Sequence, residues 1–160
     1  MTTTREPHGT QPIRLRGFRA SDVEAAVALW ETCGLTRPWN DPRADIARSL
    51  GAQPELFLVA EREPAGDARD GAALVGTVMA GFDGHRGWMY YLATAPEVRG
   101  AGVGRALVSE VERRLAAIGC PKAQLMVRSE NSAAVGFYTA LGYETNDVLV
   151  LGKRLIDDAT

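Results

Sequence analysis

The stretch from Glu97 to Leu107, "EVRGAGVGRAL", places three glycines at alternate positions with an arginine on each side of them. Glycine costs roughly 0.5–1 kcal/mol relative to alanine inside a regular element, so a ligand or a close contact is expected to offset that loss. A strand pattern precedes the glycines and a helical pattern follows them. Because a helix N-terminus carries unpaired N–H groups and the positive end of the helix dipole, the stretch predicts an anion site.

Two arginines frame this anion site, which we call the glycine loop (residues 99–105). Arg99 and Arg105 would add charge-assisted hydrogen bonds, whereas a tight turn with surface arginines is the alternative. The loop is a poor P-loop, since a P-loop ends in Gly-Lys-Ser/Thr and here Gly104 is followed by Arg105 and Ala106. It also fits a dinucleotide fingerprint poorly, because Arg105 stands where the third glycine is needed.

The composition is that of one ordinary globular domain of 160 residues, with 46% hydrophobic and 24% charged residues. The formal net charge of -2 at pH 7 gives no global basic field, so we predict no nucleic-acid partner. No apolar run approaches the length of a membrane span, so we predict no membrane partner. We divide the chain into a disordered polar tail, residues 1–12, which lacks a signal-peptide core, and one domain, residues 13–156.

The number of cysteines bears on two predictions, the cellular compartment of the protein and the presence of a metal site. Cys33 and Cys120 are too few for a disulfide framework or a cysteine-rich zinc site, so we predict no metal. They fit reduced thiols in a cytoplasmic protein.

The hydrophobic periodicity predicts a mixed α/β domain whose central strands are linked through helices. Ser21 and Glu24 have the spacing of a capping box, and Leu107, Val111, Leu115 and Ile118 mark the buried stripe of one helix. Asp83-Gly84 predicts a hairpin turn. The predicted strands are 13–16, 56–61, 73–82, 88–94, 123–127 and 148–155, and the predicted helices are 21–31, 42–50, 104–118 and 131–142.

Two motifs about thirty residues apart carry a family resemblance. Arg99-x-x-Gly102-x-Gly104 resembles the R/Q-x-x-G-x-G/A loop of the GNAT superfamily of acetyl-CoA-dependent N-acetyltransferases. "RSENSAAVGFYTALGYE", residues 128–144, resembles the second signature of that family. The resemblance runs from about Ile13 to Leu155. The chain is similar in kind to small bacterial members of the family whose substrate is unassigned. It implies a GNAT-like α/β fold with a mixed, mostly antiparallel central sheet and helices on both faces.

The same resemblance implies where acetyl-CoA binds as the co-substrate. The glycine loop would hold the pyrophosphate of coenzyme A, and the backbone of Leu92, Ala93 and Thr94 would pair with the pantetheine arm like an added strand. One of those N–H groups would face the thioester oxygen, where attack by an amine places negative charge. The loop residues in this expectation are Arg99, Gly100, Ala101, Gly102, Val103, Gly104 and Arg105.

The second motif supplies a polar helix edge. Asn131, Ala134 and Tyr138 stand three and four residues apart and line up on a helix, so Asn131 can bond the pantetheine amides or a phosphate. The resemblance implies that Tyr138 is the general acid, whose phenol, with a pKa of about 10, protonates a thiolate whose conjugate acid has a pKa of about 8.5. The alternative is that Tyr138 belongs to the core stripe and that Asn131 is only an N-cap.

A general base is not evident in the sequence. The ribosomal-protein N-terminal acetyltransferases of this family place a glutamate where this chain has Met126, so their peptide substrate does not carry over. The candidate substitutes are Glu130, Glu144, Asp83 and His85, although a histidine in a turn is more often solvated than a base. Cys33 and Cys120 fit packing roles better than nucleophilic ones.

The loop "TRPWNDP", residues 36–42, is the candidate wall of the acceptor site, because the family places the loop between the first two helices there. Trp39 would form an aromatic face and Asp41 would attract a cationic amine, with His85 as a proton carrier. A rigid turn with Trp39 folded onto the domain is the alternative.

These observations favour an enzyme that transfers acetyl from acetyl-CoA to a primary amine, on a small molecule or a protein, by direct attack in a ternary complex. A non-catalytic acyl-CoA sensor of the same fold is the alternative, and a nucleotide-binding domain is a third interpretation. The expected oligomeric state is monomer or homodimer.

Overall fold

The computed structural model describes residues 11–64 and 71–158. The predicted tail, residues 1–12, lies mostly outside the described residues, and so does most of the polar connection after the second strand. The strands are β1 (Ile13–Gly17), β2 (Phe57–Arg62), β3 (Ala73–Phe82), β4 (Gly87–Thr94) and β5 (Ala123–Leu125). The helices are α1 (Val23–Thr32), α2 (Pro42–Ala52), α3 (Val103–Ala117) and α4 (Ser132–Ala140).

The five strands form one sheet in chain order, β1-β2-β3-β4-β5. The β1–β2, β2–β3 and β3–β4 pairs are antiparallel, and the β4–β5 pair is parallel. The β3–β4 hairpin turns at Asp83, whose carboxylate accepts bonds from the backbone N–H groups of His85 (2.8 Å) and Arg86 (2.7 Å). The predicted mixed, mostly antiparallel sheet and its hairpin turn are confirmed.

Helices pack on both faces of this sheet, as predicted. Alternate residues of β3 point to opposite faces. Thr77 accepts a hydrogen bond from the Trp30 indole of α1 on one face. On the other face, a Cβ at Gly76 would lie 3.0 Å from Leu107 and from Val103 of α3. The core therefore has two layers, and β3 and β4 lie between them.

The predicted capping box at Ser21 and Glu24 is wrong, because α1 begins at Val23 and has no side-chain cap. A 3₁₀ turn precedes the helix, and the Asp22 carboxylate accepts from the Arg19 backbone N–H (2.7 Å) and pairs with Arg16 (2.7 Å). Burial raises the pKa of Asp22, but the hydrogen bonds from Arg16 and Arg19 outweigh burial and hold it below its usual value. Asp22 therefore fixes the 3₁₀ turn that precedes α1 through the Arg19 N–H, and α1 itself has no side-chain cap.

The buried stripe of α3 is confirmed for Leu107, Val111 and Leu115, which are at most 2% exposed. The prediction is wrong for Ile118, which is 47% exposed because the helix ends at Ala117 and the chain turns away.

The predicted last strand, residues 148–155, is wrong. In the described part of the chain, this run makes no backbone ladder with any strand. Side chains of both alternating sets face solvent, as Val148 (70% exposed) and Leu149 (90% exposed) illustrate. An apolar run becomes a strand only where a neighbouring strand pairs with its N–H and C=O groups, and no such neighbour lies beside it.

Candidate active site

A β-bulge interrupts β4 in the middle of the sheet. Between the pairs Thr77–Ala93 and Met79–Tyr90, one residue of β3 faces two residues of β4, Tyr91 and Leu92. Tyr91 has a φ of 51°, the one positive value among the described non-glycine residues. Such a conformation costs free energy and persists only where the surroundings fix it. The bulge changes the direction in which the β4 backbone groups point.

A buried chain of contacts holds the bulge in place. The Thr77 hydroxyl accepts a hydrogen bond from Trp30 Nε1 (2.8 Å) and donates one to the Tyr91 carbonyl (2.8 Å). Thr77 and Trp30 are fully buried. The Trp30 and Tyr91 rings stack with their centroids 3.8 Å apart. Trp30 of helix α1 therefore supports the β4 bulge in two ways, through the Thr77 hydroxyl and by stacking on Tyr91.

Beyond the bulge, one edge of β4 is open. The parallel ladder with β5 covers only three pairs, from Gly87–Ala123 to Met89–Leu125. Leu92, Ala93 and Thr94 follow these pairs, and β5 no longer accompanies them. Open N–H and C=O groups of this kind can bind an extended ligand as an added strand. The structure thus gives the three residues predicted to pair with pantetheine a strand edge that β5 does not cover.

The glycine loop connects this edge to α3. Gly100 and Gly102 have φ values of 79° and 82°, a region that side chains with a Cβ rarely adopt. Gly102 is the N-cap of α3, whose first intrahelical bond runs from the Ala106 N–H to the Gly102 carbonyl (3.0 Å). The N–H groups of the first helical turn are left available for an anion. Arg99 and Arg105 are exposed beside them.

The third glycine of the loop serves packing. A Cβ at Gly104 would lie 3.3 Å from the Phe137 ring and 3.6 Å from Thr94 Cγ2. Gly104 at the start of α3 therefore lies against Phe137 of α4 and against Thr94 at the end of β4. The absence of a side chain at this position lets the three elements approach closely.

Helix α4 carries the two polar residues of the second motif, Asn131 at its N-terminus and Tyr138 near its C-terminus. The Asn131 side chain is the N-cap and accepts from the Ala134 N–H (3.1 Å), as the alternative reading proposed. The Tyr138 ring packs edge-on against Phe137 and Tyr143 and lines a cavity formed with β5 and the second half of α3. Burial raises the pKa of Tyr138 to about 12. Its hydroxyl has no hydrogen-bond partner within residues 11–64 and 71–158.

A second cavity, which we call the acceptor-side cavity, lies on the other side of the bulge and has a volume of about 690 Å³. Tyr91 lines it, so it meets the β4 bulge directly. Trp39 also lines it and is 52% exposed, so the loop predicted to wall the acceptor site contributes its tryptophan to this cavity. The remaining lining includes Leu35, Arg37, Asn40, Asp45, Arg48, Met79, Tyr90, Met126 and Arg128.

A carboxylate that the sequence analysis missed lies in this cavity. Asp45 Oδ2 accepts hydrogen bonds from the Tyr91 hydroxyl (2.8 Å) and from Asn40 Nδ2 (2.5 Å). Burial first, and then the bond to Asp45, raises the pKa of Tyr91. Asp45 thus lies beside the bulge as a hydrogen-bonded proton acceptor. In the sequence it resembles any acidic residue in a first helical turn, so no local pattern distinguishes it.

The other predicted acceptor residues do not line this cavity. Asp41 is the N-cap of α2 and accepts from the Arg43 N–H at 2.9 Å. His85 lies in the exposed β3–β4 turn, where its ring nitrogen is 3.5 Å from Arg86 Nη1. Asp83 is in the same turn, and Glu130 and Glu144 are exposed outside the cavity. The structure therefore brings Trp39 to the cavity and leaves the other five residues outside it.

Cys33 lies beside the glycine loop rather than in the cavity. Its thiol donates to the Thr94 carbonyl (3.5 Å), and Arg99 Nη2 is 3.8 Å from its sulfur. Cys33 and Cys120 are both free thiols. Within the described ranges, no His, Cys, Asp or Glu side chains gather in a group of three or more that could hold a metal ion. A search of the same ranges finds no helix with the length and apolarity to span a bilayer.

Comparison with known proteins agrees with this geometry. The model of the acetyltransferase (GNAT) family matches residues 19–143. An acetyltransferase of Pectobacterium atrosepticum is 51% identical over 146 residues, which cover 91% of this chain and 98% of that protein. The crystal structure of Ard1 from Thermoplasma volcanium has a TM-score of 0.70 and 24% identity, covering 84% of each chain. AAC(6')-Iy in complex with the bisubstrate analog CoA-S-monomethyl-acetylneamine has a TM-score of 0.68 and 17% identity, covering 91% of this chain and 99% of that one.

Proposed function

This chain belongs to the acetyltransferase (GNAT) family, and from that premise we propose that it transfers acetyl from acetyl-CoA to a primary amine by direct attack in a ternary complex. The family and the relatives named acetyltransferase support acetyl transfer in general. A structural neighbour was solved with an analog that joins CoA to an acetylated amine, which supports acetyl-CoA as the co-substrate and an amine as the acceptor.

The observation that carries the proposal is the position of the open β4 edge. Tyr91 faces the acceptor-side cavity, and the next three residues offer the open edge that leads into the glycine loop. A thioester bound along Leu92–Thr94 would therefore end beside the cavity from which an amine enters. This arrangement lets both substrates bind at once, which direct attack needs.

The roles of the backbone follow from the bulge and the loop. The N–H groups at the start of α3, with Arg99 and Arg105, hold the diphosphate. The N–H and C=O groups of Leu92–Thr94 pair with the pantetheine amides, and Asn131 adds a donor through its Nδ2. One N–H after the bulge donates to the thioester oxygen, which gains negative charge as the C–N bond forms.

Two side chains handle the protons. Asp45 accepts the proton that the attacking nitrogen loses, since it is the carboxylate among the residues that line the acceptor-side cavity. Tyr138 donates to the thiolate when the C–S bond breaks. With a pKa of about 12 it is neutral at physiological pH, and its hydroxyl is available within the described ranges. Full transfer of its proton to a thiolate whose conjugate acid has a pKa of about 8.5 is uphill by about 5 kcal/mol, so hydrogen bonding to the thiolate is its main contribution.

The proposal is tested with a panel of amines and short peptides, following thiol release from acetyl-CoA and acetylated product by mass spectrometry. One thiol released per acetylated amine supports transfer to nitrogen. Calorimetry should give binding of coenzyme A and no binding of NAD or ATP. Tight acetyl-CoA binding without any acetylated product would instead indicate a sensor of acyl-CoA.

A further inference from the structure

The acceptor-side cavity is lined by apolar side chains and by two arginines whose guanidinium groups have unused hydrogen-bond donors among the described residues. Taking the proposed function as the basis, we propose that the acceptor is a free amino acid with a large apolar side chain, whose carboxylate binds Arg128 and Arg37 while its amine faces the β4 bulge.

The apolar part of this surface is exposed in the free protein. Four large side chains that line the cavity remain open to solvent: Leu35 (36% exposed), Trp39 (52%), Tyr90 (44%) and Met126 (51%). They come from the α1–α2 loop, from β4 and from the segment after β5. A contiguous exposed apolar surface marks a binding site. An apolar body on the acceptor would cover these side chains and remove them from water.

Arg37 is held in position with part of its guanidinium unused. Its Nη1 donates to the carbonyls of Gly34 (2.8 Å) and Thr36 (2.7 Å), so two backbone groups fix its orientation. Its Nε and Nη2 donate to no group among the described residues. A guanidinium fixed in this way loses little side-chain freedom when it binds a carboxylate.

Arg128 is the second arginine with open donors. It follows β5, lines the cavity and is exposed, and no acceptor is bound to it in the described part of the chain. Guanidinium groups bind carboxylates through paired N–H donors, which gives both strength and orientation. Arg128 and Arg37 together supply more donors than one carboxylate requires.

The third arginine and the single carboxylate of the lining already have partners. Arg48 pairs with Asp158 (2.6 Å) and lies 3.6 Å from Asp45. Asp45 in turn accepts from Tyr91 and Asn40. The charges left for a ligand are therefore the two arginines, and their sign selects an anionic group on the acceptor.

Size favours a small molecule over a protein. The volume of about 690 Å³ lies within the usual range for small-ligand pockets, about 300–1,000 Å³. A peptide N-terminus carries an amide where a free amino acid carries its carboxylate, so it would leave both arginines unpaired. Acetylation of peptides in preference to free amino acids is therefore one of the outcomes that contradict the proposal.

The experiment compares acceptors that differ in the carboxylate alone. The kcat/KM of L-phenylalanine is measured beside those of phenethylamine and L-phenylalanine amide, and the kcat/KM of L-leucine beside that of 3-methylbutylamine. We expect the carboxylated acceptor of each set to exceed its partners by about tenfold or more, as hydrogen bonds to charged groups contribute at that level. Equal kcat/KM values within each set, or faster acetylation of short peptides, overturn the proposal.

The variant Arg128→Gln assigns the effect to the site. It should lower kcat/KM for L-phenylalanine by about tenfold and leave phenethylamine within about twofold. Arg113→Gln is the matched control, because Arg113 is exposed on α3 and pairs with Glu110 of the same helix. An equal loss for both acceptors in Arg128→Gln contradicts carboxylate recognition.

A binding measurement separates this inference from the proposed function. If acetyl-CoA binds but no amine is acetylated, the proposed function fails. The amino-acid site is then tested by itself, by calorimetry with L-phenylalanine on the CoA-saturated protein. Binding of L-phenylalanine that Arg128→Gln abolishes and Arg113→Gln retains supports the amino-acid site. Absence of L-phenylalanine binding to the parent protein overturns it.

Discussion

The glycine loop and the acceptor-side cavity adjoin the same stretch of β4, yet they are built in different ways. The loop uses backbone groups from one continuous stretch, and its geometry depends on positive φ values at Gly100 and Gly102. The cavity uses side chains from the α1–α2 loop, α2, β4 and the segment after β5. The loop can therefore be recognised from a short sequence pattern, whereas the cavity exists only once distant segments have packed together.

The largest expected effect tests the cavity. Asp45→Asn keeps the size of the side chain and an oxygen for the Tyr91 hydroxyl, but it removes the proton acceptor. We expect kcat to fall by about 10²–10⁴, the usual range for lost acid–base catalysis, with the affinity for acetyl-CoA unchanged. Rapid-quench kinetics and calorimetry measure the two quantities. Asp147→Asn, an exposed carboxylate outside the cavity, is the control. Unchanged turnover in Asp45→Asn would return this carboxylate to a structural role.

The next effect concerns α4, which Phe137 joins to the loop. Tyr138→Phe keeps the ring and removes the hydrogen-bond donor to the thiolate, so we expect kcat to fall by about 10², with little change in acetyl-CoA binding. Because burial raises the pKa of Tyr138 to about 12, the phenol stays protonated as the pH rises from 6 to 9. The pH–rate profile should therefore show no falling limb from this residue in that range. A variant as fast as the parent, with chemistry rate-limiting, would mean that Tyr138 only packs against Phe137 and Tyr143.

A change in the loop should affect the co-substrate alone. Gly102→Val places a branched side chain at a φ of 82°, which costs about 1–2 kcal/mol and also obstructs an approaching phosphate. We expect calorimetry to give an acetyl-CoA affinity lower by about tenfold or more, with the fold retained by circular dichroism. Gly51→Val is the control, because a side chain there meets no neighbour and needs no positive φ. If the folded Gly102→Val protein binds acetyl-CoA as the parent does, the loop does not hold the diphosphate.

The smallest effects come from the two aromatic residues of the predicted acceptor site. Trp39→Ala should raise the KM of the acceptor by about tenfold, because a half-exposed ring loses part of its contact with the ligand, while acetyl-CoA binding stays constant. His85→Ala should change the kinetic constants by about twofold at most, because the ring lies in the exposed β3–β4 turn. Steady-state kinetics with both substrates varied checks the pair. A larger loss in His85→Ala than in Trp39→Ala would place the acceptor near the turn.

The fold was predictable wherever a local sequence pattern also had a partner strand or helix in the folded protein. The Asp83-Gly84 turn predicted the β3–β4 hairpin, and the apolar stripe of α3 predicted most of its buried face. The mostly antiparallel sheet was implied by the family resemblance. The prediction was wrong where a pattern lacked a partner. Residues 148–155 have a strand-like composition but pair with no strand in the part of the chain that the structure describes. The predicted capping box is absent from α1, and Asp22 bonds Arg16 and the Arg19 N–H in the turn before it.

The candidate site divides in the same way. The glycines of the loop were evident in the sequence because positive φ values and close packing require that residue type. The link from Asp45 to Tyr91 spans 46 residues, and the link from Trp30 to Thr77 spans 47. No local sequence spacing predicts contacts between such distant residues. The contacts that hold the β4 bulge and the position of Asp45 in the cavity were therefore evident only in the structure.

The account depends on the loop and the cavity being occupied at the same time. Initial velocities measured while acetyl-CoA and an accepted amine are both varied test this directly. Direct attack in a ternary complex predicts double-reciprocal lines that intersect, with no acetyl group left on the protein by mass spectrometry. Parallel lines, together with an acetylated Cys33 or Cys120 in the absence of amine, would show that the acetyl group passes through the enzyme and would contradict the account.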